Sequence, residues 1–495
     1  MGLSRRSVLL GTVAIGAGAF LKTSVYGSNF AEAAERQPLK IPPLIDARTK
    51  SNAVALHAQV GTTEFFPGRS SATLGYNGSN LGPTIRVHQG DDVEIAVTNA
   101  LNEDTTVHWH GLLIPAELDG GPHQLIQPTN TWRPVLPIRQ PAATLFYHPH
   151  VHGRTGTQVY SGLAGVLLVT DEVERALALP SEYGVDDLPL VLQERQFEDG
   201  LVVVPQGMMT MIQGRRGNTI LVNGTPNATA RVPKRLVRLR LVNGSNARIY
   251  DVSFSDNRMF HWIAAEGGLL DRPIQLRSLT LAPGERAELL VDFSNGQAVS
   301  LRTAPDTNLP MMMGPLAQVR NLTSGLLGSP GQDVLDFDPI GKQEGSIQIP
   351  ERLVERPRPD ASRVKTRRRF VLSMGMGGMM GGGTGEGSSM FINGRAFDMN
   401  RIDEKVRLGD TEIWEVSGEI MSHPFHIHGV QFEVLSRNGG KPAVRDSGAR
   451  DTVLVREPVE LLVRFDQPAE KVPFMYHCHI LEHEDSGMMG QFAAG

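Results

Sequence analysis

The sequence of 495 residues predicts an all-β protein built from consecutive β-sandwiches. Glycine and proline contribute 53 and 32 residues, a share that favours turn-rich β architecture over helical bundles. Beyond residue 38, short segments alternate apolar and polar residues between Gly, Pro, Asn and Asp turns, as strands with one buried face do. One strand pattern recurs three times along the chain, which indicates three copies of one module.

The recurring strand follows an Asn-Gly pair in each module. The strands are predicted at 85–88 with 93–97, at 235–241 and at 412–416, and the Asn-Gly pairs stand at 77–78, 223–224 and 393–394. A second repeated segment, 286–293, resembles 459–466 near the end of the third module. A chain of this length exceeds a single core, so the repeats predict three separate sandwiches.

Changes in composition predict where the modules begin and end. An acid-bearing joint at about 172–187 separates the first two modules, and a proline-containing stretch of little periodicity precedes the third. Residues 374–390 hold eight glycines and five methionines and predict a flexible loop. The predicted divisions are an export signal at 1–33, sandwiches at 38–172 and 187–324, a linker at 325–362, and a third sandwich at 363–495.

The N-terminus has the features of an export signal. Arg5 and Arg6 precede an apolar run to Leu21, which is too short and too rich in glycine to span a membrane. The segment resembles a twin-arginine signal with a small-residue cleavage site at 31–33, and an uncleaved anchor is the alternative. The resemblance implies that the twin-arginine translocase exports the folded chain to the periplasm, with no stable membrane insertion.

Charge and cysteine content exclude two classes of protein. Lys+Arg 48 against Asp+Glu 53 gives a net charge of −5, without the basic excess of a nucleic-acid-binding protein. The one cysteine, Cys478, excludes an intramolecular disulfide framework. A lone cysteine beside histidines in an exported chain instead indicates a metal–thiolate site.

The histidines are concentrated in pairs separated by one residue. Five such His-x-His pairs occur, whereas random placement of 15 histidines gives about half of one. Both rings of a pair on a strand face the same side, so each pair offers two imidazoles to one cavity. Neutral imidazole binds copper, zinc and iron, so these pairs alone do not select the metal. The pairs are 108/110, 148/150, 150/152, 426/428 and 477/479.

The segment around Cys478 favours copper. A thiolate, His483, a third imidazole and the thioether of Met488 would form the His2Cys site with a weak axial methionine that is typical of blue copper. On a strand, Cys478 points away from its neighbours His477 and His479. Those two rings would therefore face a second metal cavity, and the backbone would join both sites.

Four motifs are together similar to those of the multicopper oxidases, a family that includes laccases, ferroxidases and bilirubin oxidases. They are His108-Trp109-His110-Gly111, His148-Pro149-His150, His423-Pro424-Phe425-His426-Ile427-His428-Gly429, and the segment from His477 to Met488. The resemblance covers essentially the whole mature chain and is strongest to bacterial copper-efflux (cuprous) oxidases. It implies three consecutive cupredoxin-like Greek-key β-sandwiches, a monomer, and a role in copper homeostasis.

The resemblance implies four copper ions at named positions. The type 1 copper would be held by His423, Cys478 and His483, with Met488 as the axial ligand. The type 2 copper would be held by His108 and His426, and the type 3 pair by His110, His148, His150, His428, His477 and His479. These residues lie in the first and third modules, so the three-copper cluster is expected between those modules, with the second module as a spacer.

The implied reaction couples four one-electron oxidations of a donor to the reduction of dioxygen to water. The reduction consumes protons, and Asp119 and Glu484 stand at the positions of the expected donors. The alternative for both acids is that they only orient the histidines.

The donor stays open between Cu(I) and phenolic compounds. Glu419 and Met421 precede His423 where the efflux oxidases have an acid and a methionine for substrate copper, and Met374 resembles a further such position. Met379 stands where another acid is expected, which keeps laccase activity on phenols as an alternative.

A protein of another class could share these features without turnover. A copper-storage protein is one such alternative, and a copper-free structural relative that acts in cell division is another. That relative has the fold and export route but lacks the ligands. Every expected ligand is present in this chain, so the sequence favours the oxidase.

Overall fold

The computed structural model describes residues 35–308, 331–343, 348–356, 360–375 and 390–495. Within these residues, 34 strands form six sheets, which confirms the predicted all-β class. The α-helices in these ranges are short, and they are α1 (Thr155–Tyr160), α2 (Glu172–Arg175), α3 (Met208–Gln213) and α4 (Leu481–Asp485). Single 3-10 turns occur at Ala47–Lys50, Ala116–Leu118, Ala361–Arg363 and Val444–Asp446. No helix in the described ranges has the length and apolar character needed to cross a membrane.

The first sandwich consists of two sheets that cover one apolar core. One sheet has the spatial order Leu44–Asp46, Thr84–His88, Gly165–Thr170, Ala143–His148 and His108–His110. The other has the order Arg69–Tyr76, Ala53–Phe66, Asp92–Ala100 and Thr131–Trp132, and Val135–Pro137 also pairs with Asp92–Ala100. The period-two pattern at 85–97 buries Ile85, Val87, Val93 and Ile95 in this core, as predicted.

The second sandwich is the largest of the three. One sheet has the order Gln37–Pro38, Ala228–Pro233, Gln332–Ile340, Val299–Thr303, Tyr250–Phe254 and Ser278–Leu281. The other has the order Thr225–Pro226, Thr219–Val222, Asp187–Glu198, Leu236–Asn243, Arg286–Asp292, Phe260–Ala265 and Gly268–Leu276, and Leu201–Val203 pairs with Asp187–Glu198. Asn223 and Gly224 both have positive φ and form the two-residue hairpin turn that an Asn-Gly pair favours.

The third sandwich carries both of the later histidine motifs. One sheet has the order Met390–Ile392, Arg367–Met374, Thr411–Gly418, Val459–Arg464 and Gln431–Arg437. The other has the order Glu404–Val406, Met489–Ala494, Ala469–Cys478, His423–Ile427 and Thr452–Val455. The strands predicted from the repeats at 412–416 and 459–466 are therefore confirmed.

Part of the predicted linker at 325–362 is a strand, so that part of the prediction is wrong. Gln332–Ile340 lies between two strands of the second sandwich and buries Val334, Leu335 and Phe337. The prolines obscured this pattern, but Pro339 lies next to the last residue of the strand, where a missing N–H costs little pairing. The predicted export signal and most of the loop at 374–390 lie outside the described residues, and the remaining boundaries stay predictions.

Candidate metal centres

Two adjacent strands of the first sandwich carry three of its four motif histidines, and His150 lies two residues beyond the end of the second strand. In the antiparallel pairing, His148 lies opposite His108, and Phe146 lies opposite His110. Trp109, between the two histidines of its strand, points to the opposite side and is fully buried in the apolar core. The alternation of a strand thus separates metal-ligating side chains from core side chains.

The third sandwich repeats this arrangement with a cysteine on the core side. His426 lies opposite His477, and Phe425 lies opposite Cys478. Cys478 belongs to the apolar core of the third sandwich, whereas His477 faces the first sandwich and contacts His150. The two faces of one strand therefore serve two different sites, as the sequence predicts.

Eight histidine rings from the first and third sandwiches gather in one buried group, which we call the histidine cluster. The rings stack across the boundary between the sandwiches, with centroids 3.9 Å apart for His108 and His428 and 3.7 Å apart for His110 and His426. None of the eight is more than 2% exposed. The histidine cluster consists of His108, His110, His148, His150, His426, His428, His477 and His479.

Within the histidine cluster, the rings form groups that converge on common points. The Nε2 atom of His477 lies 3.2 Å from Nε2 of His150 and 3.1 Å from Nε2 of His428. In a second group, the ring centroids of His110, His148 and His479 are 5.0 to 5.6 Å apart. The first group brings three ring nitrogens together, the kind of donor set that binds a transition metal. In the second group, Nδ1 of His110 lies 3.4 Å from Nε2 of His148, and the ring of His479 packs beside them.

Two further rings present free nitrogen lone pairs. Nδ1 of His108 donates to the carbonyl of Asp119 at 3.1 Å, and Nδ1 of His426 donates to the carbonyl of Asp451 at 2.8 Å. Because a carbonyl only accepts, the proton is on Nδ1 and the Nε2 atom of each ring is a free acceptor. Both Nε2 atoms are buried without a hydrogen-bond partner among the described residues, so a metal ion fits between these rings.

Both predicted acids contact rings of the histidine cluster. Asp119 Oδ2 accepts from Nδ1 of His428 at 2.7 Å. The Glu484 carboxyl lies 3.4 Å from Nδ1 of His150 and 3.2 Å from Nδ1 of His477. Burial, together with the neighbouring acids, raises the pKa of Glu484 well above its usual range. These positions suit both predicted roles, orientation of the rings and handling of protons.

Burial also keeps seven rings of the histidine cluster neutral. Removal from water, reinforced by neighbouring rings, lowers the pKa of these imidazoles below the ordinary value of 6.5. This direction holds for His110, His148, His150, His426, His428, His477 and His479. Neutral imidazole is the form that ligates metals.

A separate site, which we call the mononuclear pocket, surrounds the only thiol of the chain, that of Cys478. Cys478 Sγ lies 3.5 Å from Nδ1 of His423 and 3.6 Å from Nδ1 of His483, and these two nitrogens are 3.3 Å apart. The outer nitrogens are occupied, since Nε2 of His423 donates to the carbonyl of Glu419 and Nε2 of His483 donates to the carbonyl of Ile212. Both rings therefore present Nδ1 to the sulfur.

Burial favours the uncharged forms of the side chains in the mononuclear pocket. It lowers the pKa of His423 to about 4 and that of His483 to about 3, and it raises the pKa of the Cys478 thiol. A metal ion replaces the thiol proton and stabilises the thiolate. Met488, the predicted axial residue, is fully buried in the same apolar core, and its carbonyl accepts from the N–H of Cys478.

The three residues predicted for substrate copper differ in their burial and in their contacts with the mononuclear pocket. Met421 is buried in the core that contains Cys478, and Met374 packs against that core half-buried. The Glu419 side chain is exposed, while its carbonyl holds His423. Met379 lies outside the described residues.

Sequence reasoning missed Asp451, Thr452 and Arg286. Asp451 contacts both His110 and His426, and the Thr452 hydroxyl donates to Asp451 at 2.8 Å. Burial raises the pKa of Asp451, but the positive charge of Arg286 and the contacts with His110 and His426 together hold this pKa well below its usual range. Arg286 belongs to the second sandwich, which therefore contributes more than the predicted spacer.

Comparisons with known proteins agree with this geometry. Family models described as multicopper oxidase match residues 57–174 and 371–495. A "Cell division protein FtsP" from Rahnella sp. is 41% identical over 99% of this chain and 98% of its own length, and the protein of that name from Escherichia coli K12 is 37% identical over the same shares.

Solved structures of oxidases are similar over almost the whole chain. The laccase-like multicopper oxidase CueO from Ochrobactrum sp., described with oxidase activity towards lignin model compounds, is 41% identical with a TM-score of 0.84, covering 92% of this chain and all of that one. A multicopper oxidase from Campylobacter jejuni, described as a metallo-oxidase, is 29% identical with a TM-score of 0.79, covering 93% of this chain and 95% of that one.

Proposed function

Because the chain belongs to the multicopper oxidase family, we propose that it is a working oxidase that couples oxidation of a one-electron donor to reduction of dioxygen to water. The observation that carries this proposal is the convergence of nine histidines and the only cysteine on buried groups that could hold metal ions, with the ring of His479 packed against one of these groups. A purely structural protein gains nothing from burying so many imidazoles, because each buried unpaired nitrogen costs free energy.

The proposed ligands divide between the two sites. His423, Cys478 and His483, with Met488, would hold the type 1 copper. When bound, copper there would supply one-electron redox chemistry, and together with three copper ions in the histidine cluster it would supply the four electrons that reduce dioxygen to water. In the cluster, His108 and His426 would hold the type 2 copper, and His110, His148, His150, His428, His477 and His479 the type 3 pair.

The protein's own part in this chemistry is to connect the two metal sites and to orient the ligand rings. Cys478 is covalently linked to His477 and His479, so the strand offers a short path for electrons between the two sites. Asp119 and Glu484 touch ligand rings from outside and fix their orientation. We assign both acids a second role as proton donors for oxygen reduction, since each lies where protons are consumed.

For the donor we propose Cu(I), with phenols as the alternative. Met374, Met421 and Glu419 offer soft and anionic ligands beside the mononuclear pocket. Oxygen uptake with Cu(I), Fe(II) and a phenol should be compared for wild type and for Met421→Leu, with Met259→Leu, an exposed methionine of the second sandwich, as the control. Met421→Leu should slow only Cu(I) oxidation, and equal losses with the phenol would contradict the assignment.

The names of the curated relatives favour a second candidate function, a structural role in cell division without turnover. Oxygen uptake by the copper-loaded chain separates the candidates, with Cys478→Ser as the control that removes the thiolate. Uptake that depends on Cys478 supports the oxidase. A chain that binds no copper, or binds it without consuming oxygen, supports the structural or copper-storage alternative.

We also propose that the chain is a periplasmic monomer exported by the twin-arginine route and active in copper homeostasis. The support is Arg5, Arg6 and the apolar run that follows them. Replacing both arginines by lysine should retain the chain in the cytoplasm, as cell fractionation would measure. Unchanged export of that variant would contradict the route.

A further inference from the structure

The buried side chain of Arg286 extends from the second sandwich to the edge of the histidine cluster. Its Nη1 donates to Asp451 Oδ1 at 2.7 Å, and its Nη2 donates to Asp451 Oδ2 at 2.6 Å. Neither side chain has any exposed surface. Two parallel charge-assisted bonds fix the plane of the carboxylate as well as its position.

The remaining donors of Arg286 are held by backbone carbonyls. Nε donates to the carbonyl of Thr144 at 3.2 Å, Nη1 to that of Gly284 at 2.9 Å, and Nη2 to that of Glu266 at 3.4 Å. With the two bonds to Asp451, all five N–H groups of the guanidinium have an acceptor. The side chain is therefore locked in one orientation between the first and second sandwiches.

Asp451 transmits this orientation to two rings of the histidine cluster. Its Oδ1 lies 3.1 Å from Nε2 of His110, and its backbone carbonyl lies 2.8 Å from Nδ1 of His426. Both oxygens only accept, so His110 carries its proton on Nε2 and His426 carries its proton on Nδ1. One residue thus imposes opposite tautomers and leaves a lone pair for metal on Nε2 of His426 and on Nδ1 of His110, which lies 3.4 Å from Nε2 of His148.

The backbone leaves no space between this ion pair and the cluster. A Cβ atom on Gly111, the residue after His110, would lie 2.4 Å from Arg286 Nη2 and 2.7 Å from Asp451 Oδ2. Gly111 also has a φ of +88°, which a side chain would strain. The ion pair therefore packs directly against the chain segment that carries His110.

We propose that Arg286 is a positioning residue, which acts through Asp451 to set the ring orientation and tautomer of His110 and His426 and so the affinity of the histidine cluster for copper. This inference rests on the proposed function, because it concerns copper bound to those rings. It gives the second sandwich, which supplies no proposed copper ligand, a direct part in the metal site.

The test compares Arg286→Gln and Arg286→Lys with a matched control, Arg238→Gln. Arg238 is equally buried in the second sandwich, but its ion pairs go to Glu174 and Glu288. Copper-loaded proteins are dialysed against a graded copper chelator, and the type 2 signal is followed by EPR beside the blue absorption. Arg286→Gln should bind cluster copper about 10- to 100-fold more weakly with the blue absorption unchanged.

Arg286→Lys should bind cluster copper more tightly than Arg286→Gln but more weakly than wild type. Lysine keeps the positive charge and one hydrogen bond to Asp451, but it cannot make two parallel hydrogen bonds to the carboxylate. Arg238→Gln should leave the type 2 signal unchanged. Wild-type retention of type 2 copper by Arg286→Gln, or equal losses in Arg286→Gln and Arg238→Gln, would overturn the proposal. If Arg286→Gln does not fold, type 2 copper retention is compared between Arg286→Lys and Arg238→Gln instead.

A measurement on metal-free protein separates this inference from the proposed function. Histidine 15N NMR reports the tautomer of each ring, and wild type should show His110 protonated on Nε2 and His426 on Nδ1. Arg286→Gln should mix the tautomers of His110, and unchanged tautomers would overturn the proposal. A wild type with the expected tautomers that takes up no copper would instead contradict the proposed function.

Discussion

The mononuclear pocket and the histidine cluster are held together in different ways. In the mononuclear pocket, the outer nitrogens of His423 and His483 are bound by backbone carbonyls, and both rings and the thiol come from one sandwich. The histidine cluster lies between two sandwiches, and carboxylates support it, among them Asp119 and Asp451. Geometry in the pocket follows backbone carbonyls, one from Glu419 of the same sandwich and one from Ile212 of the second sandwich, whereas geometry in the cluster depends on docking and on buried charge.

Cys478→Ser should have the largest effect, because it removes the thiolate of the mononuclear pocket and leaves the rings of the histidine cluster in place. Serine has almost the same shape as cysteine but lacks the thiolate, so the blue absorption and oxidase turnover should both disappear. The rings of the histidine cluster lie on the other face of the strand, so type 2 copper should remain. Absorption, EPR and oxygen uptake measure the three outcomes, and retained turnover would refute the assignment.

Glu484→Gln should act on the histidine cluster alone. Loss of a proton donor there should slow reoxidation of the reduced protein by dioxygen by about 10²- to 10⁴-fold. The blue absorption should be unchanged, because the Glu484 carboxyl lies against Nδ1 of His150 and Nδ1 of His477. Stopped-flow reoxidation is the measurement, and an unchanged rate would leave Glu484 with an orienting role only.

Acid should destabilise the metal-free protein through the mononuclear pocket. The pKa of His423 falls from 6.5 in the unfolded chain to about 4 in the folded one, so the unfolded state binds the extra proton as pH drops. The contribution of His423 to the free energy of unfolding, about 3 kcal/mol, is complete above pH 6.5 and is lost as the pH falls toward 4. Urea denaturation at pH 7 and pH 4 should show a smaller loss for His423→Gln, and an equal loss would contradict this.

Asp119→Asn should give the smallest of these effects. The amide keeps the shape of the side chain but weakens the charge-assisted bond to Nδ1 of His428. Copper in the histidine cluster should bind about 10- to 100-fold more weakly, toward the lower end because the carbonyl of Asp119 still holds His108. Competition with a chelator measures this, and a parallel loss of the type 1 copper would contradict the separation of the two regions.

The sequence predicted those parts of the molecule that depend on local periodicity. His-x-His spacing identified rings that gather in four of the five pairs, whereas His152 of the pair 150/152 is exposed, so the prediction is wrong for that pair. Alternation identified Cys478 as the residue on the opposite face. Arg286 and Asp451 carry no such pattern, because they meet through docking of two sandwiches, far apart in the chain. The strand at 332–340 escaped prediction for a local reason, since prolines at its borders resemble a linker.

The most direct test of the central claim is copper content measured together with oxygen uptake on the full chain purified after expression with copper. The oxidase assignment predicts four copper ions per chain, an intense blue absorption and steady oxygen consumption with Cu(I) or a phenol. A copper-free chain, or a fully loaded chain that consumes no oxygen, would contradict it.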